Sequence, residues 1–136
     1  MKVLFDTNVI LDLLLDRPPF SLPASSLFSK VESGLLSGLI SATSVTTIHY
    51  LAAKVLGSHE AQGEIKKLLT LLEVAPVNRL VLENALKAKA LDFEDAVLLE
   101  SARHSGVDAL VTRDVRGFKG AALPIYAPNE LLGLLK

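Results

Sequence analysis

The chain reads as an α/β protein of three layers, a central parallel sheet with helices on both faces. Three observations predict this. Short apolar runs of strand length alternate with longer stretches of helical period. The runs are continuous rather than alternating, as strands buried on both sides are. Two of them, Val3-Leu4-Phe5 and Ala109-Leu110-Val111, stop at polar sequence carrying an aspartate, which is where open α/β sheets place their chemistry.

Lys2 to Phe5 is the first strand, and Asp6 ends it. A helix over Val9 to Leu15 starts at once, so Thr7 or Asn8 is the expected N-cap, and Asp6 is either a helper of that cap or an active-site acid. Arg17-Pro18-Pro19-Phe20 breaks the helix. Leu27, Phe28, Val31, Leu35 and Leu36 set a second helix over Ser25 to Ser37. Gly38 to Ala42 is the second strand. Val45, Ile48, Leu51, Ala52, Val55 and Leu56 give a third helix, ended by Gly57. Ala61 to Leu71 is a further helix. Leu72 to Val77 is the third strand, pushed toward a sheet edge by Pro76. Asn78 caps a helix to about Ala90, and another runs from about Phe93 to His104 before Ser105-Gly106. Ala109 to Thr112 is the fourth strand, followed by a polar turn over Arg113 to Gly117. Pro124 to Ala127 is a short fifth strand, and Pro128-Asn129-Glu130 opens a last helix.

At 136 residues the chain is expected to form one domain, residues 1–136. Half of it is hydrophobic but only 5% aromatic, so Leu, Val, Ile and Ala must build the core. The net charge of −1 gives no global basic footprint, and any nucleic-acid contact must come from a local patch. Without cysteine there is no disulfide framework and no thiolate ligand or nucleophile. His49, His59 and His104 lack zinc-like spacing. Asp6 interrupts the apolar start, and no apolar run is long enough to span a bilayer, so a soluble cytoplasmic protein is the expectation.

The remaining acids carry the chemistry. Asp114 follows a buried strand as Asp6 does; were those strands neighbours at the point of order reversal, both would line one crevice. Asp95 shares a helical face with Leu98, Leu99 and Ala102, while Glu94, Glu100, Ser101, Arg103 and His104 fall on the expected solvated side. A carboxylate on an apolar stripe needs a cation, a hydrogen-bond network or a catalytic task. Asp92, three residues earlier, either joins the cluster or serves as a first-turn acid against the helix dipole. A site of carboxylates without His or Cys favours Mg²⁺ or Mn²⁺ over zinc and suits phosphodiester hydrolysis by a metal-activated water. Arg113, Arg116 and Lys119 would then hold a polyanion beside it, or simply form a solvated loop.

These residues in this order resemble the PIN-domain family, metal-dependent ribonucleases that include the toxins of VapBC-type toxin–antitoxin pairs. The resemblance rests on "VLFDTNVILDLL", "SVTTIHYLAAK", "DFEDAVLLESARHSGVDALVTRD" and "FKGAALPIYAPNELL", nearly the whole chain. It implies a five-stranded parallel sheet, an acidic pocket for Mg²⁺ or Mn²⁺, cleavage of RNA, an antitoxin protein as partner and homodimerisation. By position it implies Asp6, Asp95 and Asp114 as the catalytic metal ligands, with Asn8 and Thr112 supporting them. The family pattern usually has a Glu on the helix after the second strand. Here Thr47 takes that place, or His49 in a looser register, and neither adds charge. Asp92 could compensate; otherwise the chain is a PIN-like module that binds nucleic acid or a partner with weak or lost turnover. A haloacid-dehalogenase-type phosphatase also opens on a strand and an Asp, but it wants a second Asp where Asn8 stands.

Overall fold

The computed structural model describes residues 1–135; Lys136, the last residue of the expected domain, lies outside them. Five parallel strands are ordered β3-β2-β1-β4-β5: β1 Lys2–Phe5, β2 Ser37–Ser41, β3 Glu73–Ala75, β4 Ala109–Val111 and β5 Ile125–Tyr126. The helices are α1 Thr7–Leu14, α2 Ser21–Glu32, α3 Ala42–Leu56, α4 Ser58–Leu71, α5 Arg79–Ala85, α6 Phe93–His104 and α7 Pro128–Leu134, with a 3₁₀ turn at Val115–Phe118. The expected three-layer α/β/α architecture is present, with β3 at an edge. Among the described residues no helix is long and apolar enough to cross a membrane.

The two faces follow from the period-2 alternation of strand side chains. Val3, Phe5, Ile40, Ala109 and Val111 point to one side, under α1, α2, α3, α4 and α7; Phe5 meets Phe28 of α2 with ring centroids 4.6 Å apart. Leu4, Leu39, Ala75 and Leu110 point to the other, under α6 and Phe118. The chain moves outward from β1 to β2 and β3, then returns to place β4 on the opposite side of β1. The order therefore reverses between β1 and β4, and their carboxyl ends flank the crevice. Phe5 pairs with Val111, so Asp6 and Thr112 leave the sheet at one level.

Several expectations are corrected. The N-cap of α1 is Asp6, not Thr7 or Asn8; its Oδ1 accepts from Thr7 N at 2.7 Å, because strand and helix adjoin with no spare residue. Helix α2 starts at Ser21 rather than Ser25, since Pro23 sits in a first turn whose amides need no helical partner. Helix α5 ends at Ala85, not near Ala90. Beyond it Lys87 N and Ala88 N reach back only three residues, to Asn84 O and Ala85 O. Within the expected polar turn, Val115–Phe118 winds into the 3₁₀ turn, burying Phe118. Glu100 and Ser101 are buried rather than solvated, Glu100 beside α5 and the residues that follow it, Ser101 against the end of β3. Ser101 Oγ donates to Ala75 O and Pro76 O, tying α6 to the end of β3, and Glu100 pairs with Arg103 at 2.9 Å.

Candidate active site

The candidate site lies at the reversal between β1 and β4. Asp6, on the first residue past β1, has both carboxylate oxygens engaged. Oδ1 takes the Thr7 amide, and Oδ2 accepts from Thr112 Oγ1 at 2.8 Å. Thr112 is fully buried and serves as a hub, since its Oγ1 also accepts from Asp114 N at 3.0 Å and from Asn8 Nδ2 at 3.4 Å. Asn8 Oδ1 in turn accepts from Arg113 N at 3.3 Å. A short hydrogen-bonded frame thus joins the ends of the two strands.

Asp95, in the first turn of α6, faces the same cavity as Asp6. The two acids wall a small cavity of about 80 Å³, with Thr7, Thr43, Ser44, Thr47, Glu94 and Leu98 around it. Thr47 Oγ1 donates to Thr43 O, so its hydroxyl is turned back on its own helix. Asp114 is not on the cavity wall. Its Oδ1 accepts from Gly117 N at 3.2 Å, capping the 3₁₀ turn.

Charge is in excess here. Burial raises the Asp6 carboxyl above its ordinary value, against the hydrogen bonds from Thr112 and Thr7, and the charges of Glu94 and Asp114 push the same way. Asp95 is pushed up to about 6, first by burial, then by Asp6, Asp92, Asp114 and Glu94. Among the described residues no three acidic or imidazole side chains stand close enough to grip one ion as they are placed. The donor chemistry nonetheless fits Mg²⁺ or Mn²⁺: hard carboxylate oxygens, and mutual repulsion that a divalent cation relieves.

The other expected residues fall in different roles. Asp92 is the N-cap of α6, exposed, its Oδ1 accepting from Glu94 N at 3.0 Å. This is the helix-terminal reading rather than the clustered one, although its charge still reaches Asp95. Arg113 is not a free loop cation: its Nε lies 2.7 Å from Asp12 Oδ2, and its guanidinium carbon lies 4.0 Å from the Phe20 ring centroid. A fully buried carboxylate at Asp12 demands that pairing. Arg116 and Lys119 are exposed.

Two residues escape the sequence pattern. Glu94, exposed on its polar helical face, also joins the cavity wall. Asp12 also pairs with Arg17, at 2.9 Å. An acid amid Val9, Ile10 and Leu11 with an arginine five residues on was the available signal.

A family model described as PIN domain matches residues 2–116. No sequence among curated proteins matches the chain. Among solved structures, the fold is similar to DNA-bound VapBC from Salmonella typhimurium, with TM-score 0.74 and 18% identity over 94% of this chain and 98% of that one. A toxin–antitoxin complex from Klebsiella pneumoniae gives TM-score 0.71 and 21% identity, covering 93% and 97%. VapC20 of Mycobacterium tuberculosis, a sarcin-ricin loop cleaving toxin, gives 0.65 and 16%, covering 79% and 86%. At such identities the likeness is one of fold, but the family model spans most of the sequence, including both strand-end aspartates: the chain belongs to the PIN-domain family.

Proposed function

We propose that the protein is a Mg²⁺- or Mn²⁺-dependent endoribonuclease that serves as the toxin of a toxin–antitoxin pair in the cytoplasm. The observation that carries this reading is the convergence of Asp6 and Asp95 on one cavity, with Asp114 beside it, where burial first and neighbouring acids second hold Asp6 and Asp95 above their ordinary pKa. Asp6, Asp95 and Asp114 would hold the ion. When bound, it supplies Lewis-acid activation of water and neutralises charge on the phosphate. Thr112 fixes the Asp6 carboxylate by its hydrogen bond, and Asn8 holds Thr112 and the Arg113 backbone in place. Exposed Arg116 and Lys119 draw the RNA backbone toward the acids. The toxin role with an antitoxin partner is supported by the toxin–antitoxin and VapBC complexes that share the fold; a homodimeric state belongs to the same proposal. The exposed apolar side chains Tyr50, Leu51 and Val55 on α3 also favour a covering partner.

The test is RNA cleavage by purified protein with Mn²⁺, compared with Asp6→Asn. Activity in the wild type that this substitution abolishes supports the reading; equal activity in both removes Asp6 from the site. Thr47 favours a second reading, a PIN module that binds RNA or a partner without cutting, since it leaves the α3 wall uncharged. RNA that is bound but left intact with every divalent ion would select it.

A further inference from the structure

A second cavity adjoins the acid site and is built differently. Phe20, just before α2, leaves 41% of its surface exposed in a chain poor in aromatic residues. Phe20, Pro23, Arg113, Ala127, Pro128 and Asn129 wall a cavity of about 330 Å³, near the lower end of the ~300–1,000 Å³ typical of small-ligand sites. Its walls are flat and apolar, with one guanidinium and one amide.

That guanidinium is held in place. Asp12, only 1% exposed, binds Arg113 through Nε at 2.7 Å and Nη2 at 3.3 Å, and Arg17 through Nε at 2.9 Å. Two guanidiniums against one carboxylate leave this corner positive, beside a site crowded with acids. The cavity is also tied to that site. Arg113 follows Thr112, whose hydroxyl holds Asp6, and precedes Asp114; its amide donates to Asn8. Ala127 and Pro128 follow β5, so the cavity sits at the same carboxyl end of the sheet.

We infer that this cavity is a stacking subsite for one unpaired nucleobase of the RNA strand that the acid site cuts. The inference rests on the ribonuclease reading and adds to it a position that holds one base of the strand. A base has apolar faces that match Phe20 and the two prolines, and polar edges that match Asn129. Its own phosphate suits the excess positive charge, whereas an apolar protein side chain would leave that charge unanswered. A base within a duplex has both faces covered by its neighbours and cannot enter.

The test measures binding and cleavage separately. A fluorescent single-stranded RNA is titrated with the full chain in Ca²⁺, its integrity checked on a gel, for wild type, Phe20→Ala and Phe20→Trp. Phe20→Ala should weaken binding about 5- to 150-fold, equivalent to the ~1–3 kcal/mol of one stacked base. Phe20→Trp should bind as wild type does. An abasic oligomer should bind wild type and Phe20→Ala alike, and thermal melts should show all variants folded. Unchanged binding by Phe20→Ala, an equal loss on the abasic oligomer, or no binding by wild type overturns the subsite. So does sedimentation showing that Phe20→Ala abolishes self-association while RNA binding is unchanged, which would assign the cavity to a second copy. Cleavage with Mn²⁺ is read on its own. If wild type cuts and Phe20→Ala binds normally, the nuclease reading stands without the subsite. If Phe20→Ala loses base-dependent binding while wild type never cuts, the subsite stands and the nuclease reading falls.

Discussion

Thr112 Oγ1 donates to Asp6 Oδ2 at 2.8 Å, joining the ends of the two strands between which the sheet reverses its order. The same oxygen accepts from Asp114 N, so one hydroxyl fixes the position of two acids. Thr112→Val keeps the shape and removes these two bonds together with the one from Asn8 Nδ2. The substitution should cost about 1–3 kcal/mol, as expected when buried polar groups lose their partner. Asp6 should titrate still higher once its donor is gone. Urea denaturation gives the first quantity and carboxylate NMR the second; an unchanged Asp6 titration would show that Thr112 is only packing.

The metal-free protein should lose stability as pH rises from about 4 to about 6. Asp95 is pushed up to about 6 in the folded chain, so the native state holds a proton there that the unfolded chain has already released. Its contribution is therefore most favourable below the ordinary carboxylate range and is lost as pH climbs through the folded value. Asp6 is shifted in the same direction. Denaturation midpoints in EDTA across this range should show the decline, Asp95→Asn should flatten it, and excess Mn²⁺ should offset it. A decline identical in wild type and Asp95→Asn would place its cause elsewhere.

Arg113 should matter to stability as well as to ligand. It is one of two partners of a buried carboxylate, Asp12, and breaking a buried pair costs about 3–5 kcal/mol when nothing replaces the lost cation. Because Arg17 remains at 2.9 Å, Arg113→Ala should fall below that range, at about 2 kcal/mol. The double variant with Arg17→Ala should exceed the sum of the single ones. Additive costs in a double-mutant cycle would mean that the two arginines do not share Asp12.

The fold was legible because its signals are local. Continuous apolar runs ended abruptly at Asp6 and Thr112, and helical periods separated them. Asp6, Asp95 and Asp114 could be picked out as acids at strand ends or on an apolar stripe. What was not legible depends on neighbours that a helical wheel does not contain. Ser101 and Glu100 read as solvated because nothing local announces the end of β3 against Ser101 or α5 beside Glu100. Glu94 is exposed, as its helical face reads, yet it also lines the acid cavity, which depends on elements a helical wheel leaves out. Arg113 read as a free cation because its partner, Asp12, is 101 residues away in sequence.

Thr47 sits on the cavity wall with Asp6 and Asp95, so Thr47→Glu should add a carboxylate there. Mn²⁺ affinity should rise by about tenfold, or ~1.4 kcal/mol, while the metal-free form becomes less stable from added repulsion. Calorimetric titration with Mn²⁺ and a melt in EDTA measure the two effects. Tighter binding without a metal-free penalty would mean that the new carboxylate points away from Asp6 and Asp95.

Gly117 offers a way to move Asp114 without changing its chemistry. A Cβ at Gly117 would lie 2.5 Å from Asp114 Oδ2 and 3.0 Å from its carboxyl carbon, closer than real side chains approach. In Gly117→Ala the Asp114 carboxylate should therefore turn away from residue 117 and weaken its cap of the 3₁₀ turn. The global cost should be small, about 1 kcal/mol for one cap, because Asp114 Oδ2 ends a side chain free to turn. The functional effect depends on where the carboxylate goes. If ion binding needs Asp114 to rotate toward Asp6, freeing it from Gly117 should tighten Mn²⁺ binding; if the capped position is the binding one, affinity should fall. The capped carboxylate stands off the cavity wall, so tighter binding is the expected outcome. Mn²⁺ titration of Gly117→Ala beside Asp114→Asn decides it, since weaker binding in both variants would assign the ligand role to the capped position.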